Sequence, residues 1–505
     1  MTSAGFLVVA LAAPVAWSAP GDDWPLYVAV QGQETQLAVI SSATETVTGS
    51  LQPGPIPYGV AITPDGTTAY VANNPSPGSI TPVELPSGPT SAPIPAGSTT
   101  YRVAITPDGS TAVATNFFSD TLTVVDVATG TVTATVPVGD FPYGVAITPD
   151  GATAWVTLEN GGGLVPVSLT TEVAGTPVPL PAGAWDVTIT PDGSTAFVAG
   201  VDGSLTPVAL PGGVAGPAIA LGAGLKTVAV DPDGTILYVA RYGPADGDDS
   251  VVPLSLPDLS VGAPIPLPGE GQSIAFTPDG LTAYVSVYQP PQVVPIDVAS
   301  GTARAPIPVT GAALGTLAVT PDQAPVAVLA PVVPAPAGSA TAFDASGSTV
   351  AFGSIASYAW DFGDGSTQTT TVPTTEHVYA TPGSYAATVT LTSSGGTSTT
   401  QVFTGQTSSR NGGPQAVAGA DVSVVAPAPD PVPPAPPDPD PAPAPEPVAP
   451  EPAVDAPPGA VPVVQEIAST GSASGTLAAT ALGLVLLGSV LRALASRRRP
   501  NPTDA

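Results

Sequence analysis

The chain has 505 residues, room for two or three domains. Its 55 glycines and 66 prolines, about a quarter of the sequence, leave little scope for long helices. With 39 acidic against 9 basic residues the net charge is −30, too little positive charge to neutralise phosphates, so no nucleic-acid partner is expected. The absence of cysteine excludes disulfides, thiol nucleophiles and Cys-ligated zinc, and a single histidine, His377, excludes His-rich metal sites. Lys226 is the only lysine, and four of the eight arginines fall in the last fifteen residues.

Residues 1–19 read as a signal peptide. An apolar run from Gly5 to Trp17 is followed by the small residues Ser18 and Ala19, although no basic residue precedes it.

Residues 22–323 are dominated by a repeat. Thr63-Pro64-Asp65-Gly66 recurs from Thr106, Thr148, Thr190, Asp231 and Thr277, and in altered form as Thr320-Pro321-Asp322-Gln323, at spacings of 41–46 residues. A period in the low forties is the length of one four-stranded propeller blade. Each unit has an apolar run before the turn (Val60-Ala61-Ile62), a second after it (Ala69-Tyr70-Val71-Ala72) and two further alternating runs, which gives four antiparallel strands. Proline presets φ, aspartate tolerates the bridge region and glycine accepts φ > 0, so the motif is a hairpin turn and its aspartates are not a catalytic ring. Six units are complete. Leu26–Gln52 supplies three strands, and Thr316–Gln323 supplies a first strand and turn, so a seventh blade shared by both ends is expected, which would leave no open sheet edge. Tyr70-Val71-Ala72-Asn73 and Trp155-Val156-Thr157-Leu158 resemble the YVTN family of β-propeller repeats. That resemblance implies an envelope or surface-layer setting, with lactonase-like and quinoprotein-like propellers as relatives.

Residues 325–405 change pattern. Phe343-Asp344-Ala345-Ser346-Gly347, Tyr358-Ala359-Trp360-Asp361-Phe362-Gly363-Asp364-Gly365 and His377-Val378-Tyr379 closely resemble the PKD domain, an Ig-like β-sandwich. The resemblance implies a spacer or adhesive module. Trp360 suits the core of a small sandwich.

Residues 406–466 form a linker. Between Ala426 and Pro462 nearly every second residue is proline, with Ala, Asp and Glu between, which cannot pack a core and favours an extended stalk on the order of 110 Å. Residues 467–499 close the chain. Ile467-Ala468-Ser469-Thr470-Gly471, an apolar stretch Leu477–Leu491 read as a single transmembrane helix, and Arg492 with Arg497–Arg499 resemble a Gram-positive cell-wall sorting signal. Ile467 stands where the family has leucine, and a plain membrane anchor is the alternative. The resemblance implies sortase attachment and display outside the cell. Scarce lysine with abundant Ala, Pro, Val and Gly suits a GC-rich, actinobacterial source.

The expected fold is therefore all-β: a seven-bladed propeller, an Ig-like sandwich, a disordered Pro-rich stalk and one transmembrane helix. In a propeller of this strand order, one face gathers the loops from fourth to first strand and from second to third. Tyr58, Tyr101, Tyr143 and Trp185 take equivalent places there, followed by Lys226, Gln272 and Gly315. Asn73, Asn116, Phe117, Phe118, Glu159, Asn160, Arg241, Tyr242 and Tyr288 fall on the same face. Aromatic rings with amides suit recognition of an extracellular protein or carbohydrate. The competing reading is that the aromatic residues simply plug the channel. No cofactor is expected, with calcium as a minor candidate at Asp246, Asp248 and Asp249, or at Asp344, Asp361 and Asp364. The leading function is a non-enzymatic adhesion or binding protein. The alternatives are a purely structural surface-layer component and a lactonase- or lyase-type envelope enzyme working through Glu159, Asp186, Arg241 or Lys226.

Overall fold

The computed structural model describes residues 23–429 and 431, except 33, 34, 162, 223 and 244–248. The expected signal peptide, most of the Pro-rich stalk, and the sorting signal with Ile467, Ala468, Ser469, Thr470 and Gly471 lie outside the described residues. No helix among the described residues is long and apolar enough to cross a membrane.

The described chain is all-β, with only two short 3-10 turns, Phe117–Ser119 and Pro414–Ala416, in place of helices. Residues 26–319 build seven antiparallel sheets of four or five strands. The inner strands, such as Pro57–Ile62, Pro142–Ile147 and Ala313–Val319, are buried along their whole length, as expected for strands covered on both faces. Outer strands such as Thr46–Leu51 are exposed. Neighbouring inner strands touch in order around a ring, and Ala313–Val319 contacts both Gly271–Phe276 and Pro57–Ile62. The ring is completed in the first sheet, where Ala313–Val319 pairs antiparallel with Leu26–Gln31, Leu26 opposite Val319. That pairing gives the first sheet its fourth strand.

The repeated turn joins inner and second strands. In the first copy the Thr63 hydroxyl donates to Asp65 Oδ1 at 2.6 Å, the Thr67 amide donates to the same oxygen at 3.1 Å, and Gly66 sits at φ +73°. The seventh copy lacks its glycine and does something else. Asp322–Gln323 is a two-residue strand running parallel to Ser408–Asn411, not the turn expected from the sequence. Asp322 is fully buried, accepting a hydrogen bond from Trp24 Nε1 at 3.2 Å and another from the Ser393 hydroxyl. The chain leaves the ring here.

The following sandwich has one sheet ordered Ala335–Pro336, Val417–Val425, Gly383–Ser393, Ile355–Asp361 and Thr367–Thr370, with Ala340–Asp344 paired to Thr374–Val378 opposite. Trp360, Phe343, Phe362, Tyr379 and Leu391 fill its core, and the Trp360 indole donates to Thr370 Oγ1 at 3.1 Å. The sheet takes up one strand beyond the expected boundary at residue 405. Val417–Val425, placed in the linker by its composition, pairs with Gly383–Ser393 over eight residues and is a central strand. Its alternation of Val with Ala, Gly and Asp, not the proline content that follows it, is what decides.

Val402–Phe403 and Ser408–Asn411 form a hairpin whose tip enters the ring at the turn end. The last amides of three inner strands end on it: Ile62 N donates to Thr407 Oγ1 at 3.3 Å, Ile105 N to Gln406 O at 3.1 Å, and Ile147 N to Gly405 O at 2.7 Å. The Thr188 hydroxyl donates to Thr404 O at 3.0 Å. Phe403 packs among Val145, Ile147, Val113 and Val136. Arg410 reaches across the turn face to Pro278 O and to Asp233 Oδ1, both at 2.8 Å. The hairpin satisfies backbone donors that a sheet end would otherwise leave open.

Candidate functional site

The opposite end of the ring carries a second closure, made of side chains. The second residue of successive inner strands is Tyr58, Tyr101, Tyr143, Trp185, Lys226 and Gln272. Strand pleating brings this register to one level, and the side chains meet in series. Ring centroids lie 4.7 Å apart for Tyr58–Tyr101, 4.9 Å for Tyr101–Tyr143 and 4.6 Å for Tyr143–Trp185. The Lys226 ammonium sits 3.7 Å from the centroid of Trp185 and 3.6 Å from Glu270 Oε1. Gln272 donates to Glu270 at 2.9 Å and accepts from the Tyr58 hydroxyl at 3.1 Å. The circuit closes with a hydrogen bond between the Tyr58 and Tyr143 hydroxyls. In the seventh inner strand Gly315 takes this place. A Cβ there would lie 2.4 Å from Tyr58 O, so only glycine lets Tyr58 lie over it.

Tyr58 and Tyr143 are buried, and burial pushes the Tyr58 phenol up to about 12 and raises that of Tyr143. These two plug the mouth and cannot be a ligand surface. Tyr101 and Trp185 stay partly open.

One residue deeper lies an ion pair, Arg102 Nη2 to Asp186 Oδ2 at 3.2 Å. Thr227 Oγ1 donates to the same oxygen at 2.7 Å, and Arg102 also donates to Gln272 O at 3.3 Å. Asp186 is thus committed to the interior and is removed from the acid–base candidates. Between this layer and the hairpin lies a cavity of about 80 Å³ lined by Asp186, Thr227, Ser273 and Ser409.

Above the mouth, Glu159, Tyr242 and Tyr288 are partly exposed, as is Phe117, while Phe118 and Asn160 are more open. Phe117 stacks on Phe141 at 4.9 Å. Burial raises the Glu159 carboxyl above its usual value, against the pull of the Lys226 charge. Burial likewise lowers Lys226, opposed by Glu270. Burial raises the Tyr242 phenol, helped by the charge of Glu270. Glu159 and Lys226 therefore remain as titratable partners on an aromatic wall.

Three predicted site residues are structural. Asn73 and Asn116 are fully buried. Asn73 donates to Thr81 Oγ1 at 2.7 Å, and Asn116 donates to Thr123 Oγ1 at 2.8 Å while accepting from the Gly97 amide at 3.1 Å. Arg241 ends the second strand of its own sheet as they do, and it donates to Ser250 Oγ at 2.7 Å and Leu221 O at 3.2 Å. All three tie a loop to the end of a second strand, a role that needs a donor and no ligand.

The calcium candidates fall apart similarly. Asp246 and Asp248 lie outside the described residues, and Asp249 immediately precedes the third strand of its sheet. Asp344 accepts from the Ser346 amide at 2.8 Å and Asp361 from the Gly363 amide at 2.9 Å, as turn-capping residues. Asp364 binds Ser366 and holds His377 Nε2 at 2.8 Å. His377 stacks on Phe362 at 4.1 Å. Among the described residues no three acidic or histidine side chains gather as a metal site.

The sequence reading missed Glu270, Phe141 and Arg102. Glu270 lies two residues before Gln272, and its only signal was its place in the loop entering an inner strand. Arg102 had a clearer one, as the only arginine inside an inner strand.

Residues 322–406 match the PKD domain family. A search of curated proteins finds no sequence match. Among solved structures the chain is similar to a functionally unknown protein from Desulfotomaculum acetoxidans, at 16% identity and a TM-score of 0.52, over 59% of this chain and 98% of that one. It is similar to a periplasmic gluconolactonase of Pseudomonas aeruginosa, at 17% identity and 0.52, over 59% and 99%. A protein from Lactobacillus plantarum gives 15% identity and 0.51, over 59% and 99%. At these identities the likeness is one of fold, an all-β, propeller-like ring; the sandwich rests on the PKD match.

Proposed function

We propose that the chain is a surface-displayed recognition protein. Its seven sheets act as a seven-bladed β-propeller whose aromatic mouth binds an extracellular carbohydrate or protein. The PKD module and Pro-rich stalk hold this head away from the envelope, to which the C-terminal sorting signal ties it. The observation that carries the reading is the asymmetry of the ring. Its turn end is filled by the hairpin tip, whereas its other end gathers Tyr101, Trp185, Lys226, Glu159, Tyr242 and Tyr288 within reach of solvent. Flat rings beside polar groups suit sugar faces and peptide planes. The test is binding of full-length chain to an array of envelope glycans and matrix proteins. Retention that falls at least tenfold in Tyr101→Ala and Trp185→Ala supports the reading, and retention indifferent to both overturns it.

A second reading keeps one specific support. Glu159 and Lys226 lie close enough to shift each other's titration, and the fold is shared with a gluconolactonase. Lactone hydrolysis that disappears in Glu159→Gln, without loss of folding, would favour it.

A further inference from the structure

Three features of the mouth bear on what it would hold. The first is charge. The face offers one ammonium, Lys226, and it is already occupied: Glu270 lies 3.6 Å away and the Trp185 ring lies beneath it. Arg102 is sealed in its pair with Asp186, and Arg241 is spent on Ser250 and Leu221. An anionic ligand therefore meets no unpaired cation, and a chain of net charge −30 repels it at long range.

The second is Glu159. Its carboxylate is half-buried, and only the charge of Lys226 answers it; no described residue donates a hydrogen bond to it. Lys226 is bridged to Glu270, whereas Glu159, whose amide donates to Phe141 O at 3.1 Å, has no salt bridge among the described residues. A half-buried carboxylate without a donor is a group prepared for an incoming one.

The third is the wall. Trp185 already accepts an ammonium on its face, at 3.7 Å from the ring centroid, so the molecule itself shows that a cation is tolerated against this surface. Tyr101, Tyr242 and Tyr288 extend the wall with partly exposed rings. Such plates stack on the C–H face of a pyranose. A rigid sugar ring also loses less rotamer freedom on docking than a lysine side chain, whose ordering costs roughly 2 kcal/mol.

We infer that the mouth takes a saccharide bearing a free primary ammonium, a de-N-acetylated amino sugar, with the ammonium on Glu159 and the sugar face against the aromatic wall. This rests on the reading of the mouth as a carbohydrate-binding face. N-acetylation removes the charge and adds bulk where the carboxylate waits, so the acetylated sugar is the discriminating comparison.

The experiment is calorimetric titration of full-length chain, near pH 6, with tetrameric glucosamine and with tetrameric N-acetylglucosamine. The expected result is at least about tenfold tighter binding of the free amine form, as one charge-assisted hydrogen bond supplies. In Glu159→Gln the ratio of the two affinities falls below twofold. Equal binding of the two tetramers by the unaltered chain overturns the inference, as does a preference that survives Glu159→Gln. Binding of a lysine-rich peptide in place of either tetramer also overturns it. Binding of neither saccharide is a different outcome, because it removes the carbohydrate reading of the mouth altogether.

Discussion

Arg102 and Asp186 meet 3.2 Å apart inside the ring, from inner strands two sheets apart, and neither side chain leaves more than 3% of its surface to solvent. Thr227 and the Val228 amide also donate to Asp186. A buried pair of this kind is costly to break from one side, because the surviving charge stays in the interior without a partner. Asp186→Ala should therefore destabilise the ring by about 3–5 kcal/mol. Replacing both, Arg102→Met with Asp186→Leu, should recover most of the loss. Chemical denaturation of the three proteins checks this, and a double variant as weak as the single one would show that the pair itself contributes net stability.

The hairpin makes the sandwich part of the ring's own core. Phe403 is 2% exposed and packs against side chains from two ring sheets, so Phe403→Ala should cost about 3–5 kcal/mol. Gly405 has φ +110°, and a Cβ on it would come 2.8 Å from Ala146 Cβ, so Gly405→Val should withdraw the tip. Hydrogen exchange is the decisive measurement. The amides of Ile105 and Ile147, which donate to Gln406 and Gly405, should lose protection in Gly405→Val while the sandwich amides of Val389 and Leu391 keep theirs.

Acid sensitivity should reside in the turns. The hydroxyl of Thr148 and the amide of Ala152 hold Asp150 below the usual carboxylate range, and Thr190 with Ser194 does the same for Asp192. In the sandwich, Ser366, followed by His377, takes Asp364 down to about 2. A carboxyl depressed in the folded state contributes stability that is full above its unfolded value, near 3.9, and is lost as pH falls through the folded value. Melting temperatures should thus decline from about pH 4 downward. Asp150→Asn and Asp364→Asn should be less stable at pH 7 and should decline less on acidification. Glu159 runs the other way. Its raised carboxyl opposes folding when ionised, so its protonation on acidification adds stability.

Much of this was legible because a few residues set the geometry. The Thr-Pro-Asp-Gly turn fixes a hairpin by local chemistry, and its spacing counts the sheets. Four residues before the last inner-strand position lies the mouth, which is why Tyr58, Tyr101, Tyr143, Trp185, Lys226, Gln272 and Gly315 could be aligned before any side chain was placed. What was not legible is whether a polar residue at a strand end faces solvent or a loop backbone. Asn73, Asn116 and Arg241 each turn to a hydroxyl of the third strand of their own sheet. The hairpin left no trace because its tip, Thr404–Thr407, binds chiefly through backbone carbonyls, which every sequence has. Its one apolar anchor, Phe403, is indistinguishable in sequence from a strand residue of the sandwich.

Lys226 offers a last test that separates binding from catalysis. Its ammonium is held between the Trp185 face and Glu270, and burial makes the proton easier to lose than in free lysine. A base depressed in the folded state disfavours folding while charged, so raising the pH through its folded value should stabilise the protein until free lysine also loses its proton, near 10.4. Tryptophan fluorescence should follow the same titration, because the cation lies directly over the Trp185 ring, and the transition should vanish in Lys226→Gln. Lys226→Arg then distinguishes the two readings of the mouth. Arginine keeps the charge and the stacking, so a packing and recognition role should survive with ligand binding within about threefold. A proton-transfer role should not, because a guanidinium stays protonated throughout the working range. Retained binding with no lactone turnover in either protein favours recognition, and turnover lost only in Lys226→Arg favours chemistry.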